Sequence, residues 1–146
     1  MKIALKQAEK AYEKDEVPIG CVIVAGGKII ARAYNQRNTK KLSTAHAEIL
    51  AINKACKKIG DWRLENADIY VTLEPCPMCA GAIANSRISN LYFGAYEKKS
   101  GGAVSKFDIL SQSGLNHNVN FEGGIMEKEC GDILKKFFRE KRIIKI

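Results

Sequence analysis

The sequence has no charge-free apolar run of about eighteen residues, the length a membrane-spanning helix needs. Its first fifteen residues, MKIALKQAEKAYEKD, are interrupted by charges throughout, which also argues against a signal peptide. The expectation is a cytoplasmic protein with no membrane partner. Internal repeats, low-complexity tracts and linker-like stretches are missing too, and 146 residues suit one domain spanning 1–146. Histidine is scarce, with only His46 and His117. Cysteine comes in a number that does not suit a disulfide framework. The five, Cys21, Cys56, Cys76, Cys79 and Cys130, are odd in count and unevenly spaced, as in a reducing compartment. Cys21, Cys56 and Cys130 fall in apolar or helical patterns and read as small packing residues.

Acidic residues are the minority charge: 24 Lys and Arg stand against 16 Asp and Glu, a formal net charge of +8. Such an excess favours a polyanionic partner such as nucleic acid, or an anionic membrane surface. A solvated lysine-rich surface explains the same number, so charge becomes informative only beside chemistry.

Hydropathy patterning gives the elements. Ile3, Leu5, Ala8, Ala11 and Tyr12 recur at helical spacing and predict an amphipathic helix over 2–15, broken by VPIG. Two β-branched runs, 19–25 and 28–34, flank Gly26-Gly27 and predict a hairpin with a two-residue turn. After the polar loop NQRNTKKLST, Ser43 or Thr44 can cap a helix over 45–59 that Gly60 ends. ADIYVTL reads as a strand, Pro75 and Pro77 as the start of a small-residue helix MCAGAIANS, and ISNLYFGA as the next strand. FDIL suggests a short helix and HNVNFEGG a weak final strand. The tail from Ile125 to about Arg142 suggests a long helix with Ile125, Ile133, Leu134, Phe137 and Phe138 facing inward. Strands alternating with helices indicate an α/β layered domain, and the initial hairpin makes its five-stranded sheet mixed.

The chemistry concentrates in TLEPCPMCAGAIA, residues 72–84. Its two cysteines could be a redox dithiol, half of a metal site, or core residues that happen to be close. HAE (46–48) and PCPMC (75–79) each open a predicted helix, where unpaired N–H groups and the positive dipole end favour thiolates. Three positions apart on a first turn, Cys76 and Cys79 point to one side and can share a metal ion. Two thiolates and the imidazole of His46 make a three-ligand zinc site with an open fourth position, the pattern of catalytic zinc. Glu48 at the same helix start could lean beyond the helix end and exchange protons with a water there.

Histidine-any-glutamate followed by proline-cysteine-two residues-cysteine is a signature of zinc nucleobase deaminases. The chain resembles the cytidine-deaminase-like superfamily, and within it the bacterial tRNA-specific adenosine deaminases, over nearly its whole length. The matching stretches are VPIGCVIV, AYNQRN, TAHAEILAI, WRLENADIYVTLEPCPMCAGAI, SRISNLYFGA, GLNHNVNFEGGI and FFREKR. The resemblance implies a three-layer α/β/α fold, a homodimer and one zinc ion per subunit. It also implies conversion of adenosine to inosine at the anticodon wobble position of a tRNA, with release of ammonia. By position it makes His46, Cys76 and Cys79 the zinc ligands and Glu48 the proton shuttle. Asn35 matches a residue that bonds the flipped base, Pro18, Ile19 and Gly20 the segment shaping the base pocket, and Leu73 and Glu74 the backbone beside it. Glu97 stands where the family often has aspartate, and is a candidate substrate contact.

Other readings remain beside these. Asn35 is also an ordinary turn residue after a strand, and His117 either contacts RNA or caps a turn. Lys135, Arg139, Lys141 and Arg142 of the final helix are candidates for RNA phosphate contacts. The rival of the same chemistry is a deaminase of free cytosine, cytidine or guanine, which the zinc motif does not separate from a tRNA enzyme. A rival of another class is a zinc-stabilised RNA-binding protein without catalysis.

Overall fold

The computed structural model describes residues 1–111 and 117–144. Residues 114–116, part of the family-like stretch GLNHNVNFEGGI, lie outside the described residues. The order is α1 (Lys2–Glu13), β1 (Gly20–Ala25), β2 (Lys28–Tyr34), α2 (Arg37–Lys40), α3 (Ala47–Ile59), β3 (Ala67–Leu73), α4 (Pro77–Asn85), β4 (Asn90–Ala95), β5 (Asn120–Glu122) and α5 (Glu127–Ile144).

One sheet of order β2-β1-β3-β4-β5 organises them. β1 runs antiparallel to β2 and β3, whereas β3, β4 and β5 are parallel, so the expected mixed five-stranded sheet is present. Gly26 and Gly27 both take positive φ, 58° and 74°, the left-handed pair that lets a two-residue turn follow the twist of the strands. Helices α3 and α4 cover one face. Between them and the sheet lies a continuous core that includes Ile23, Ile69, Val71, Leu91 and Phe93 from the strands and Ala51, Ile52, Ala80 and Ile83 from the helices. Helices α1 and α5 cover the other face, where Ala4, Ala8, Ala11 and Cys130 are fully buried. This is the three-layer α/β/α arrangement. No described helix is long and apolar enough to cross a membrane.

Four local expectations need correction. The polar loop after β2 holds a single helical turn, α2, ended by Lys41 in the left-handed conformation. α3 begins at Ala47 rather than Ala45, and its N-cap is His46, not Ser43 or Thr44. FDIL forms no helix, because the Phe107 and Ile109 N–H groups bond the carbonyls of Gly101 and Gly102 instead. On α5 only one of the paired phenylalanines faces inward: Phe137 is 7 % exposed and Phe138 is 45 % exposed. Cys130 and Phe137 mark the buried stripe, with Phe137 against Tyr12 of α1, and the next residue along a helix is turned about 100° away from it.

The β3-α4-β4 crossover brings the carboxyl ends of β3 and β4 to one edge of the sheet. Leu73 and Ala95 are register partners there, and the N-termini of α3 and α4 open at the same edge. An open α/β sheet receives its ligands in this position.

Candidate active site and metal centre

His46 is the N-cap of α3 and Cys76 the N-cap of α4, both with extended backbone, while Cys79 sits within the first turn of α4. Pro77 at the first helical position has no N–H to leave unsatisfied. Two helix ends thus aim their positive dipoles at one spot and hold three donor atoms around it. His46 Nδ1 is 3.7 Å from Cys76 Sγ and 3.5 Å from Cys79 Sγ. All three donor atoms lie within 4.8 Å of one another. Among the described residues this is the one group of histidine, cysteine or carboxylate side chains so arranged.

The electrostatics follow from this crowding. Cys79 donates to Cys76, and that hydrogen bond, with a further one to His46, draws the Cys76 thiol down to about 4 against its burial. Cys79 is the partner that keeps the proton; its hydrogen bond to Cys76, its burial and the nearby Glu48 all push its pKa upward. The hydrogen bond to Cys76 raises the His46 imidazole above its ordinary value. Glu48, 4 % exposed, is pushed up to about 7 by burial. Two thiols and an imidazole at bonding separation, one sulfur already ionised, form a donor set that fits a borderline-soft divalent ion and not a hard one. A third donor within 3.7 Å of both sulfurs favours the metal-site reading of Cys76 and Cys79 over the redox pair.

A cavity of about 400 Å³ opens over these groups. His46, Glu48 and Cys76 lie at its base, and Val17, Ile19, Leu73, Glu74, Glu97 and Lys135 are among its walls. The predicted residues divide accordingly. Ile19, Leu73, Glu74, Glu97 and Lys135 line the cavity. Pro18 is fully buried behind it, and Gly20 donates its N–H to Thr72 Oγ1 beneath α1, so neither reaches the lumen. Asn35 is 4 % exposed and spans the wall from behind: its Nδ2 donates to the Val17 carbonyl and its Oδ1 accepts from Arg37 N–H. His117 lies at the opposite end of the sheet, where its Nε2 bonds the Ile88 carbonyl at 2.7 Å. Lys141 and Arg142 border a neighbouring cavity with Glu97, Lys99 and Phe138. Lys141 is also ion-paired to Asp15, and Arg139 is exposed beyond the cavity walls.

Glu97 curls back on its own loop, where its carboxylate accepts the Lys99 N–H at 3.0 Å. This is the i to i+2 bond that aspartate makes in an Asx turn, so the longer glutamate preserves the turn. Sequence reasoning missed Arg37, Ser100 and Phe138, which also line the cavity. Arg37 lies within AYNQRN, one of the family-like stretches, and the alternation of inward and outward faces on α5 was the available signal for Phe138.

A family model, MafB19-like deaminase, matches residues 1–142. The chain is 53 % identical over 142 residues to the tRNA-specific adenosine deaminase of Bacillus subtilis (strain 168), covering 97 % of this chain and 88 % of that protein. It is 48 % identical over 143 residues to the protein of that name in Agrobacterium fabrum, covering 98 % and 94 %. A solved structure from work on A-to-I editing by tRNA:A34 deaminases at the wobble position of transfer RNA superposes with a TM-score of 0.89. It shares 46 % identity and covers 92 % of this chain and 97 % of that one. A guanine deaminase from Nitrosomonas europaea shares the fold at 21 % identity and a TM-score of 0.79, covering 92 % and 80 %. With this fold, the His46, Cys76 and Cys79 cluster and relatives matched over almost their whole length, the chain belongs to the tRNA-specific adenosine deaminase family, on the cytidine-deaminase-like fold.

Proposed function

We propose that this chain deaminates adenosine to inosine at the wobble position of a tRNA anticodon, hydrolytically and with zinc. The observation that carries the proposal is the convergence of His46, Cys76, Cys79 and buried Glu48 at the base of an open cavity, in a chain of this family. His46, Cys76 and Cys79 would hold one zinc ion per subunit, and zinc in such a site makes water acidic enough to serve as a nucleophile near neutral pH.

The chain's own residues supply the rest. Glu48 takes one proton from the attacking water and delivers it to N1 of the adenine ring. It then takes the second from the oxygen added at C6 and hands it to the amino group, which leaves as ammonia as the C–N bond breaks. Its burial suits this exchange, because a carboxyl group near 7 can both accept and release a proton at neutral pH. Ile19 and Leu73 provide apolar walls for a splayed-out base, and Asn35 stiffens the wall that Val17 and Ile19 form. Lys135 at the mouth, with Lys141 and Arg142 beside it, offers cations to the RNA backbone. A homodimer working in the cytoplasm completes the reading.

The rival is a deaminase of free cytosine, cytidine or guanine. Turnover of an anticodon stem-loop with adenosine at the wobble position, measured beside the free bases and nucleosides, separates the two. Turnover of the stem-loop with little or none of free cytosine, cytidine or guanine supports the proposal; the reverse pattern ends it.

A further inference from the structure

The Glu74 carboxylate is 2 % exposed, and it collects five hydrogen bonds, all from residues 97–105. Oε2 accepts three successive backbone N–H groups, from Ala103 at 3.1 Å, Val104 at 2.8 Å and Ser105 at 2.9 Å. Oε1 accepts the Glu97 N–H at 3.1 Å and the Ser105 hydroxyl. Consecutive N–H groups converging on one point form a concave seat for an anion. Here the seat is filled by a side chain of the same molecule.

The loop that Glu74 gathers is pressed against the metal-ligand segment on its other side. Gly102 N–H donates to the Pro75 carbonyl at 2.6 Å. A Cβ on Gly102 would stand 2.9 Å from the Cys76 carbonyl oxygen, and one on Gly101 would stand 2.5 Å from the Glu74 carboxyl carbon. The same loop contributes Glu97 and Ser100 to the cavity wall, which Ile19 and Arg37 also line. One buried carboxylate, itself at the cavity lining, therefore sets the position of the wall that the loop builds beside it.

We propose that Glu74 is a positioning residue for the deamination, holding the 97–105 loop as the wall against which the substrate nucleotide is oriented. The inference rests on the deaminase reading given above. It differs from a purely structural role in which kinetic parameter it moves.

Glu74→Gln tests it. The glutamine oxygen can take the seat among residues 103–105, which leaves its NH2 facing the Glu97 N–H, donor against donor. The loop then loses its hold at the Glu97 end while the metal ligands keep their helix-capping positions. The expected result is a KM for the wobble-adenosine stem-loop raised about tenfold with kcat within about threefold. Metal content stays as in the wild type. Hydrogen exchange quickens at the Glu97 amide and not at the β3 amides. Gly101→Ala, which leaves Glu74 in place and drives a methyl group at its carboxylate, gives the same signature and keeps the test decisive if the first variant does not fold. A wild-type KM in both variants, or a fall in kcat that tracks lost metal, overturns the assignment. Failure of the wild-type protein to act on the stem-loop is a different outcome, and contradicts the deaminase reading itself.

Discussion

His46 Nδ1 stands 3.5 Å from Cys79 Sγ across the gap between the N-terminal ends of α3 and α4. Without a metal the Cys79 thiol stays protonated, whereas Cys76, near 4, is a thiolate at neutral pH. Zinc binding has to expel the Cys79 proton, and a second one from any His46 that is protonated. Calorimetry in buffers of different ionisation enthalpy should show about one proton or more released per zinc at pH 7, with affinity weakening as pH falls. Binding without proton release would contradict this donor set. Cys79→Ser should lose most of the metal and, with it, thermal stability.

Glu48 lies beside the donors but is no part of the group that can hold the ion. Glu48→Gln should keep zinc and RNA binding while kcat falls by about 10²- to 10⁴-fold, the range expected of a lost general acid–base. Metal analysis and single-turnover assays check it. A variant with full activity would remove Glu48 from the mechanism.

Glu16 is fully buried, and its two carboxylate oxygens accept the N–H groups of Asn38 and Thr39 at the turn that follows Arg37. Glu16→Gln leaves at least one of these donors facing another donor. The expected cost is about 1–3 kcal/mol, read from the shift in the denaturation midpoint. A loss well below that range would mean that the turn repacks without its anchor.

Phe137 and Phe138 are neighbours with opposite duties. Phe137 packs edge-on against Tyr12 at 6.0 Å and is nearly buried, so Phe137→Ala should cost about 3 kcal/mol of stability. Phe138 is exposed at the rim of the cavity, and Phe138→Ala should change stability by about 0.5 kcal/mol or less while raising KM for the RNA. Equal destabilisation by the two substitutions would contradict the orientation of α5.

Much of this architecture was legible in the sequence because its signals are local. The hairpin rests on two adjacent glycines, the start of α4 on Pro77, and the metal site on two short motifs that each open a helix. What escaped depends on partners far along the chain. Glu74 reads as a residue beside the cysteine motif, and nothing local shows that it reaches 31 positions onward to Ser105. Glu16 likewise reads as a charge after a helix, yet it is spent on N–H groups more than twenty residues away. The hold that Asn35 has on Val17 and Arg37 is equally hidden in the sequence, where it reads as a residue after a strand; one N–H and one lone pair of its amide stay free for a base. FDIL carries a plausible helical composition, but the Gly101 and Gly102 carbonyls capture its donors first. Phe138 shows the limit of periodicity, since one residue on a helix separates the core from the rim.

Mapping inosine in a full-length tRNA with adenosine at the wobble position, after incubation with the zinc-loaded protein, tests the central claim most directly. The account predicts conversion at that one adenosine with one ammonia released per inosine, abolished in Glu48→Gln. An unmodified wobble adenosine beside deamination of a free base or nucleoside would contradict it.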